Sequence, residues 1–176
     1  SYQCLRSKGG EKLTGTEKER ITDILGEAAV RSVQYLSNEI KNYTVQKSTL
    51  ATERADLEKK IAVAKKKTIK LTEAKNQSVI LLQTTIEKYV QNPTTSNQGE
   101  LNTVITALRK SHEILTTETP THQTVIHTSE KRIREIESKI TNLNLTPLQQ
   151  ALTYIKDEIK PVLNPEHRTA LDKITA

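Results

Sequence analysis

A seven-residue repeat of apolar positions runs through the stretch from Ala29 to Tyr89, which contains neither glycine nor proline. One seam position of the repeat holds Ala29, Leu36, Tyr43, Leu50, Leu57, Ala64 and Leu71. The other holds Val33, Ile40, Ile61, Leu82 and Tyr89, with Lys47, Arg54, Thr68 and Lys75 as its polar members. Spacing that alternates four and three over more than three heptads is typical of a coiled coil. The pattern therefore predicts one long helix whose seam is covered by the rest of the chain or by a second copy.

Two places within this stretch are candidates for an interruption. The segment from Asn42 to Thr49 is rich in β-branched and other poor helix formers, so any break is expected there. Near Asn76 to Ser78 the apolar spacing changes, and a stutter would move the seam to a new set of positions. That new seam would consist of Val79, Leu82, Ile86 and Val90.

Turn and capping signals divide the rest of the chain. Thr16 and Glu19 have the spacing of a capping box, and Asn92-Pro93 is expected to end the first long helix because proline disfavours a helical residue before it. Two polar loops are predicted, at residues 92–99 and 116–121. In the second, Thr119 is expected to be the N-cap and Pro120 the first helical residue.

The C-terminal part shows the same kind of signals. A stop is predicted at residues 142–144, followed by a helix with Thr146 as its cap and Pro147 at its first position. Pro161 is expected to end that helix, and Asn164-Pro165 to begin a last short one.

These elements predict an all-α protein, an elongated antiparallel helical bundle built on a long coiled-coil-like helix. Residues 100–143 are expected to run back along the second half of the long helix, and residues 147–174 to pack against its first half. Residues 1–15, which contain three glycines, are predicted to be a flexible tether, and residues 16–176 a single helical domain. The chain would be a monomer, or a dimer through the heptad seam.

The composition suits a thin helical core. Hydrophobic residues make up 34 % of the chain, and Phe, Trp and Met are absent. Small seams of Ala, Val, Ile and Leu suffice between paired helices. No apolar run approaches the roughly 18 residues that a membrane span requires.

The net charge of +6 indicates an acidic partner. The densest basic cluster contains Lys59, Lys60, Lys65, Lys66, Lys67 and Lys70, and a smaller one contains Lys131, Arg132 and Arg134. The first cluster is either a site for a polyanion or a solvated coiled-coil face, since Glu53, Asp56, Glu58 and Glu73 lie among the lysines. No aromatic residue stands there to stack on bases, so nucleic acid is not the expected partner.

Nothing in the sequence indicates catalysis. None of the four histidines has the i, i+4 spacing of the metalloprotease zinc motif, and no glycine-rich phosphate loop is present. We therefore expect no enzymatic activity, no cofactor and no metal site.

Cys4 is the single cysteine, and the glycine- and lysine-containing segment after it leads into the helical part. Mature bacterial lipoproteins have this layout, with a lipid on the cysteine. An inert thiol in an N-terminal tail is the alternative. Lipid on Cys4 would be the chain's only attachment to a membrane.

In this layout, in its long heptad helix, polar loops and basic balance, the chain resembles the helical outer-surface lipoproteins of spirochaetes, in particular those that bind factor H. The resemblance implies a cell-surface protein that captures a host serum protein, with the complement regulator factor H as the suspected partner. Capture would use an inter-helical loop, for which the candidates are Thr117, Glu118, Thr119, Thr121 and His122, beside Lys131 and Arg132. A plain connector is the alternative interpretation of this loop. The alternative functions are an intracellular coiled-coil structural or adaptor protein and a basic, polyanion-binding helical protein.

Overall fold

A computed structural model describes residues 14–175 of the chain, and within this range it contains α-helices and no strand. The α-helices are α1 (Gly15–Gln91), α2 (Thr95–Asn142), α3 (Thr146–Tyr154) and α4 (Pro165–Thr175). After α3 the chain continues into a π-helical turn, Ile155–Ile159, and a 3-10 turn, Lys160–Val162. The prediction of an all-α helical bundle is confirmed.

Helix α1 begins one residue before the predicted cap. The Thr14 hydroxyl accepts a hydrogen bond from the Glu17 amide at 3.2 Å, which satisfies one of the free amides of the first turn. Thr14 is therefore the cap, and the prediction of Thr16 was wrong. At the other end α1 stops at Gln91, directly before Asn92-Pro93, as predicted.

No break occurs between Asn42 and Thr49, so α1 is one helix of 77 residues. The Thr44 hydroxyl in this segment donates to the Ile40 carbonyl at 2.7 Å, so the polar group is satisfied within the helix. Tyr43, Lys47 and Leu50 keep the seam positions and are half-buried. Packing of the seam thus outweighs the weak helix propensity of the segment.

The predicted stutter near Asn76 is also absent. Ser78 and Thr85, in frame with Leu71, are half-buried and buried, whereas Val79 and Val90 are 46 % and 73 % exposed. The polar seam residues have partners, since the Ser78 and Ser111 hydroxyls lie 3.5 Å apart and Thr85 donates to the Leu81 carbonyl at 2.7 Å. The original heptad therefore continues through Tyr89, and the hydroxyl side chains of Ser78 and Thr85 occupy two of its seam positions.

The first loop is shorter than predicted. It contains only residues 92–94, because α2 starts at Thr95. Thr94 accepts a hydrogen bond from the Asn97 amide at 3.1 Å, and the Asn97 side chain donates to the Asn92 carbonyl at 2.8 Å. These bonds cap α2 and close the turn, so the polar residues that indicated a loop of 92–99 are its capping groups.

The second predicted loop does not exist. Helix α2 runs unbroken from Thr95 to Asn142 and contains Pro120. The less exposed positions here are Ser111, Leu115, Thr119 and His122, which are spaced four, four and three residues apart. This spacing is a stutter in the seam of a continuous helix. Along the sequence, this change in the spacing of the seam positions, together with the proline, predicts a helix end.

The starts of the C-terminal helices agree with the prediction, whereas the cap and the end of α3 do not. Helix α3 starts at Thr146 with Leu145 at its N-cap position and no side-chain cap bond there, so the prediction of Thr146 as the cap was wrong. The Thr146 amide donates to the Asn144 side chain at 3.0 Å. The prediction that Pro161 ends this helix was also wrong, because the α-helix ends at Tyr154 and the chain continues through a π-helical turn and passes Pro161 in a 3-10 turn. Helix α4 begins at Pro165, as predicted.

By contacts the chain divides into two units. The first combines the part of α1 up to Ser48 with the residues from Thr141 onward. Its core consists of Ala29, Val33, Leu36, Ile155, Leu163 and Leu171. The C-terminal residues therefore pack against the first half of the long helix, as predicted.

The second unit contains residues 49–140. Here α1 and α2 run antiparallel, since Glu53 contacts Arg132 while Lys88 contacts Glu100. Ile136 is fully buried and Ala64 is 4 % exposed in the seam between them. The return of the chain along the second half of α1 is confirmed, with one helix where two pieces were predicted. The seam is covered by the chain's own helices.

Candidate functional site

Two arginines tie α1 to α2 in the second unit. Arg132 donates to both carboxylate oxygens of Glu53, at 2.7 and 3.1 Å, in the bidentate geometry that favours arginine. Arg54 contacts Glu137 at 2.9 Å and Glu58 at 3.2 Å. Exposed pairs of this kind contribute little stability individually. Their larger consequence is that they neutralise the charges of Glu53, Glu58 and Glu137 on the surface.

The hydrogen bond from Arg132 holds the pKa of the Glu53 carboxyl below its ordinary value of 4.5, and the same bond raises the pKa of Arg132. Folding therefore favours the ionised form of Glu53. The resulting stability is present above the unfolded pKa and is lost as the pH falls through the lower folded value.

We expect Glu53→Gln to make stability less sensitive to acid. The wild-type free energy of unfolding should fall more steeply than that of the variant as the pH is lowered below about 4.5, the carboxyl's ordinary value. Urea denaturation between about pH 3 and 6 measures both slopes. Glu113→Gln, an exposed position on α2, is the control and should keep the wild-type slope. Equal slopes for wild type and Glu53→Gln would contradict the role given to this bond.

This arrangement involves one predicted contact residue. Arg132, which was predicted to contact a partner protein, binds Glu53 on α1 and Glu135 on α2 through its guanidinium. Its charge is balanced by these two carboxylates. Lys131 is exposed.

The predicted docking residues lie on the middle of α2 and not in a loop. Thr117, Glu118 and Thr121 are exposed along the helix, while Thr119 and His122 are half-buried on the side of α2 that faces α1. His122 Nε2 lies 3.9 Å from a Glu118 carboxylate oxygen. The loop prediction was wrong because Pro120 is accommodated within the helix. Thr117 with Thr121, and Glu118 with His122, therefore have the i, i+4 spacing of neighbours on one helix face, and Thr119 lies apart from them.

The positive charge of the lysine cluster is not neutralised by ion pairs within the described residues. All six of its lysines are exposed, and none forms an ion pair with another residue in the range 14–174. Two of the acidic residues expected to neutralise it, Glu53 and Glu58, are instead bound by arginines. Arg132 lies on α2, 79 residues from Glu53, so that pair is not visible along the chain, whereas Arg54 and Glu58 are four residues apart on α1.

A groove lies between the lysine-bearing face of α1 and the facing side of α2. It encloses about 300 Å³ and is lined by Lys59, Lys60, Val63, Ala64, Lys67, His122 and Val125. An adjoining groove of about 660 Å³ shares Lys60 and Val125 with it and extends to Glu53, Arg132 and Glu135. Small or apolar side chains form the floor, and cations form the rim of the first groove.

Sequence reasoning named His122 but missed Val125, the other α2 residue of this groove. Val125 is 38 % exposed. Its partial exposure follows from the stutter, which moves Ile126 into the seam and leaves Val125 at the edge. The Thr119 hydroxyl is buried without a hydrogen-bond partner on the same side of the cleft.

Among residues 14–175, no set of three His, Cys, Asp or Glu side chains is placed to hold a metal ion, and none of the helices has the length and apolarity of a membrane span. Cys4 and the predicted tether up to residue 13 lie outside the described residues. Comparison with protein-family models, curated proteins and solved structures found no match for this chain.

Proposed function

We propose that this protein is a non-enzymatic, surface-exposed binding protein that captures a host protein through the lysine-bearing face of α1. The host protein would present an acidic surface to that face. The complement regulator factor H is the first candidate, and its choice rests on the layout resemblance to helical spirochaetal lipoproteins. Immune evasion would be the biological consequence.

One observation carries this proposal: the six lysines from Lys59 to Lys70 have no ionic partners among the described residues. A cluster of uncompensated charge raises the rate of encounter with an oppositely charged protein. Two long paired helices hold the lysines in fixed positions along about 11 residues, or roughly 16 Å of helix. A rigid array reduces the entropy that is lost when a partner binds.

Attachment to the cell surface is proposed through a lipid on Cys4. The support is the order along the chain, in which the only cysteine comes before a glycine-containing segment and then the helices. This part of the proposal requires a precursor with a signal peptide that ends directly before Cys4.

Surface plasmon resonance with factor H on the chip tests the capture. We expect Lys60→Ala with Lys67→Ala to weaken binding about tenfold, which corresponds to about 1.4 kcal/mol. The control is Lys41→Ala with Lys110→Ala, which removes the same charge from exposed positions outside both the six-lysine cluster and the groove. It should retain most of the affinity. Absence of binding by the wild-type chain would reject factor H as the partner, and equal losses in both double variants would reject the lysine face as a specific site.

A polyanion such as a sulfated glycan is the second candidate ligand, since exposed, unpaired lysines also favour it. The two candidates differ in their response to salt. Polyanion binding by several lysines loses affinity steeply as salt rises, because bound counterions are released. A protein partner that also makes apolar contacts retains more of its affinity.

A further inference from the structure

The groove between α1 and α2 combines lysines with apolar side chains, whereas a simple charged surface presents charged groups alone. We infer that it is a docking site for an acidic amphipathic helix of the captured protein, with apolar side chains on its floor and carboxylates over its lysines. This inference rests on the proposed function and specifies the part of the partner that binds.

The floor of the groove favours an occupant with an apolar side. Val63 and Val125 are 53 % and 38 % exposed, and between them Ala64 leaves a depression because its side chain is small. A sulfated glycan or a nucleic acid backbone is hydrated along its length and gains little from such a floor. A peptide with leucine or isoleucine on one face would bury these valines and gain about 25 cal/mol for each Å² of apolar surface.

The rim favours carboxylates in particular positions. Lys60 and Lys67 are seven residues apart on the same flank of α1, so their spacing along the helix is about 10.5 Å. A second helix laid along the groove repeats every seven residues with the same rise. Acidic residues at i and i+7 of that helix would therefore meet both lysines, and an extended strand would not keep this match.

The second unit is a helix pair with a partly apolar groove along it. It contains parts of α1 and α2, and Val63 and Val125 stay partly exposed along the groove between them. Adding one amphipathic helix to a helix pair is a common mode of peptide recognition, in which apolar anchors at i, i+3 or i+4 and i+7 enter the cleft.

The charge along the cleft gives the occupant a direction. Lys59, Lys60 and Lys67 line the first groove, and beyond Lys60 the adjoining groove carries Glu53 and Glu135, which balance Arg132, and the exposed Lys131. The acidic residues of the docked helix are therefore expected over the first groove, where lysines stand without carboxylates, and uncharged residues over the adjoining one.

Fluorescence anisotropy with labelled synthetic peptides and the full chain tests this inference. The probe is a 16-residue peptide with leucines on one helical face and glutamates at i and i+7 beside it. The comparison peptide has the same composition, with the leucines distributed around the helix. We expect the amphipathic peptide to bind at least tenfold more tightly than the rearranged one.

Two pairs of substitutions separate the floor from the rim. Val63→Thr with Val125→Thr should weaken binding of the amphipathic peptide about fivefold, since the shape is kept while apolar surface is lost. Lys60→Ala with Lys67→Ala should weaken it about tenfold. Val79→Thr with Val90→Thr changes exposed valines outside the groove and should leave binding unchanged.

Heparin serves as the polyanion probe. If both peptides bind equally, or if heparin binds while the amphipathic peptide does not, the groove is a site for charge alone and the inference is overturned. Capture of factor H that is lost in the lysine variant and unchanged in the Val63→Thr, Val125→Thr variant would reject the docked helix and leave the proposed function standing. Peptide binding without factor H capture would reject that partner and leave the groove assignment standing.

Discussion

Pro120→Ala is expected to stabilise the protein by about 1–3 kcal/mol, because Pro120 lies inside α2. Proline has no amide hydrogen, so the Thr116 carbonyl lacks the bond that residue 120 would give in a regular helix, and proline costs about 3 kcal/mol relative to alanine in a helix interior. The greater freedom of alanine in the unfolded chain offsets part of this gain. Urea denaturation followed by far-ultraviolet circular dichroism measures the change.

Thr117→Ala is the control for this prediction. Thr117 is exposed on the same helix and has its own amide, so the substitution changes helix propensity alone and should contribute less than about 0.7 kcal/mol. A proline at the first position of a helix costs little. If Pro120→Ala stabilised no more than Thr117→Ala, the loop originally expected at residues 116–121 would be the better description.

The long helix was predictable because its signal is redundant. The four-and-three spacing repeats from Ala29 to Tyr89, so polar members such as Lys47 do not hide the frame. Each seam position contributes to the same interpretation, and a local stretch of weak helix formers cannot overturn it. This pattern predicted the fold class. It also led to the prediction that residues 147–174 pack against the first half of α1 and residues 100–143 against its second half.

The continuity of α2 through Pro120 was not predictable from local signals. A threonine before a proline has the features of a helix start, and the apolar spacing changes frame at the same place. A helix end and a stutter produce the same pattern along the chain. What distinguishes them is that α1 supplies a continuous surface opposite α2, and this packing keeps the proline-containing segment helical.

The candidate site depended on contacts across the two helices. The lysines were visible in the sequence, but their lack of partners depends on Arg54 and Arg132 binding the neighbouring acids. The Arg132–Glu53 pair joins residues 79 positions apart on two helices, so it cannot be seen along the chain. The groove floor likewise requires Val63 and Val125 to lie on facing helices, which only the register of the α1–α2 pair determines.

Gly26→Ala is expected to lower the free energy of unfolding by about 1–3 kcal/mol, although alanine is the better helix former. A Cβ atom on Gly26 would lie 2.2 Å from Nδ1 and 2.4 Å from Cγ of His167, which is on α4. The imidazole ring would have to move, and forcing extra atoms into a packed contact typically costs this amount. The helix-propensity gain of about 1 kcal/mol opposes the clash and does not exceed it. Gly26 therefore permits the close approach of α4 to α1.

Urea denaturation of four variants, Gly26→Ala, His167→Ala, their combination and Gly99→Ala, tests this explanation. Gly99→Ala is the control, because a Cβ atom there meets nothing within 4 Å and should raise stability by about 0.5–1 kcal/mol. His167→Ala combined with Gly26→Ala should recover most of the loss, because removing the ring removes the clash, and the double-mutant cycle gives the coupling between the two positions. The His167 Nδ1 atom is buried without a hydrogen-bond partner, so no hydrogen bond to that atom is lost when the ring is removed. If Gly26→Ala were as stable as Gly99→Ala, or if His167→Ala failed to rescue it, α4 would not pack on α1 through this glycine.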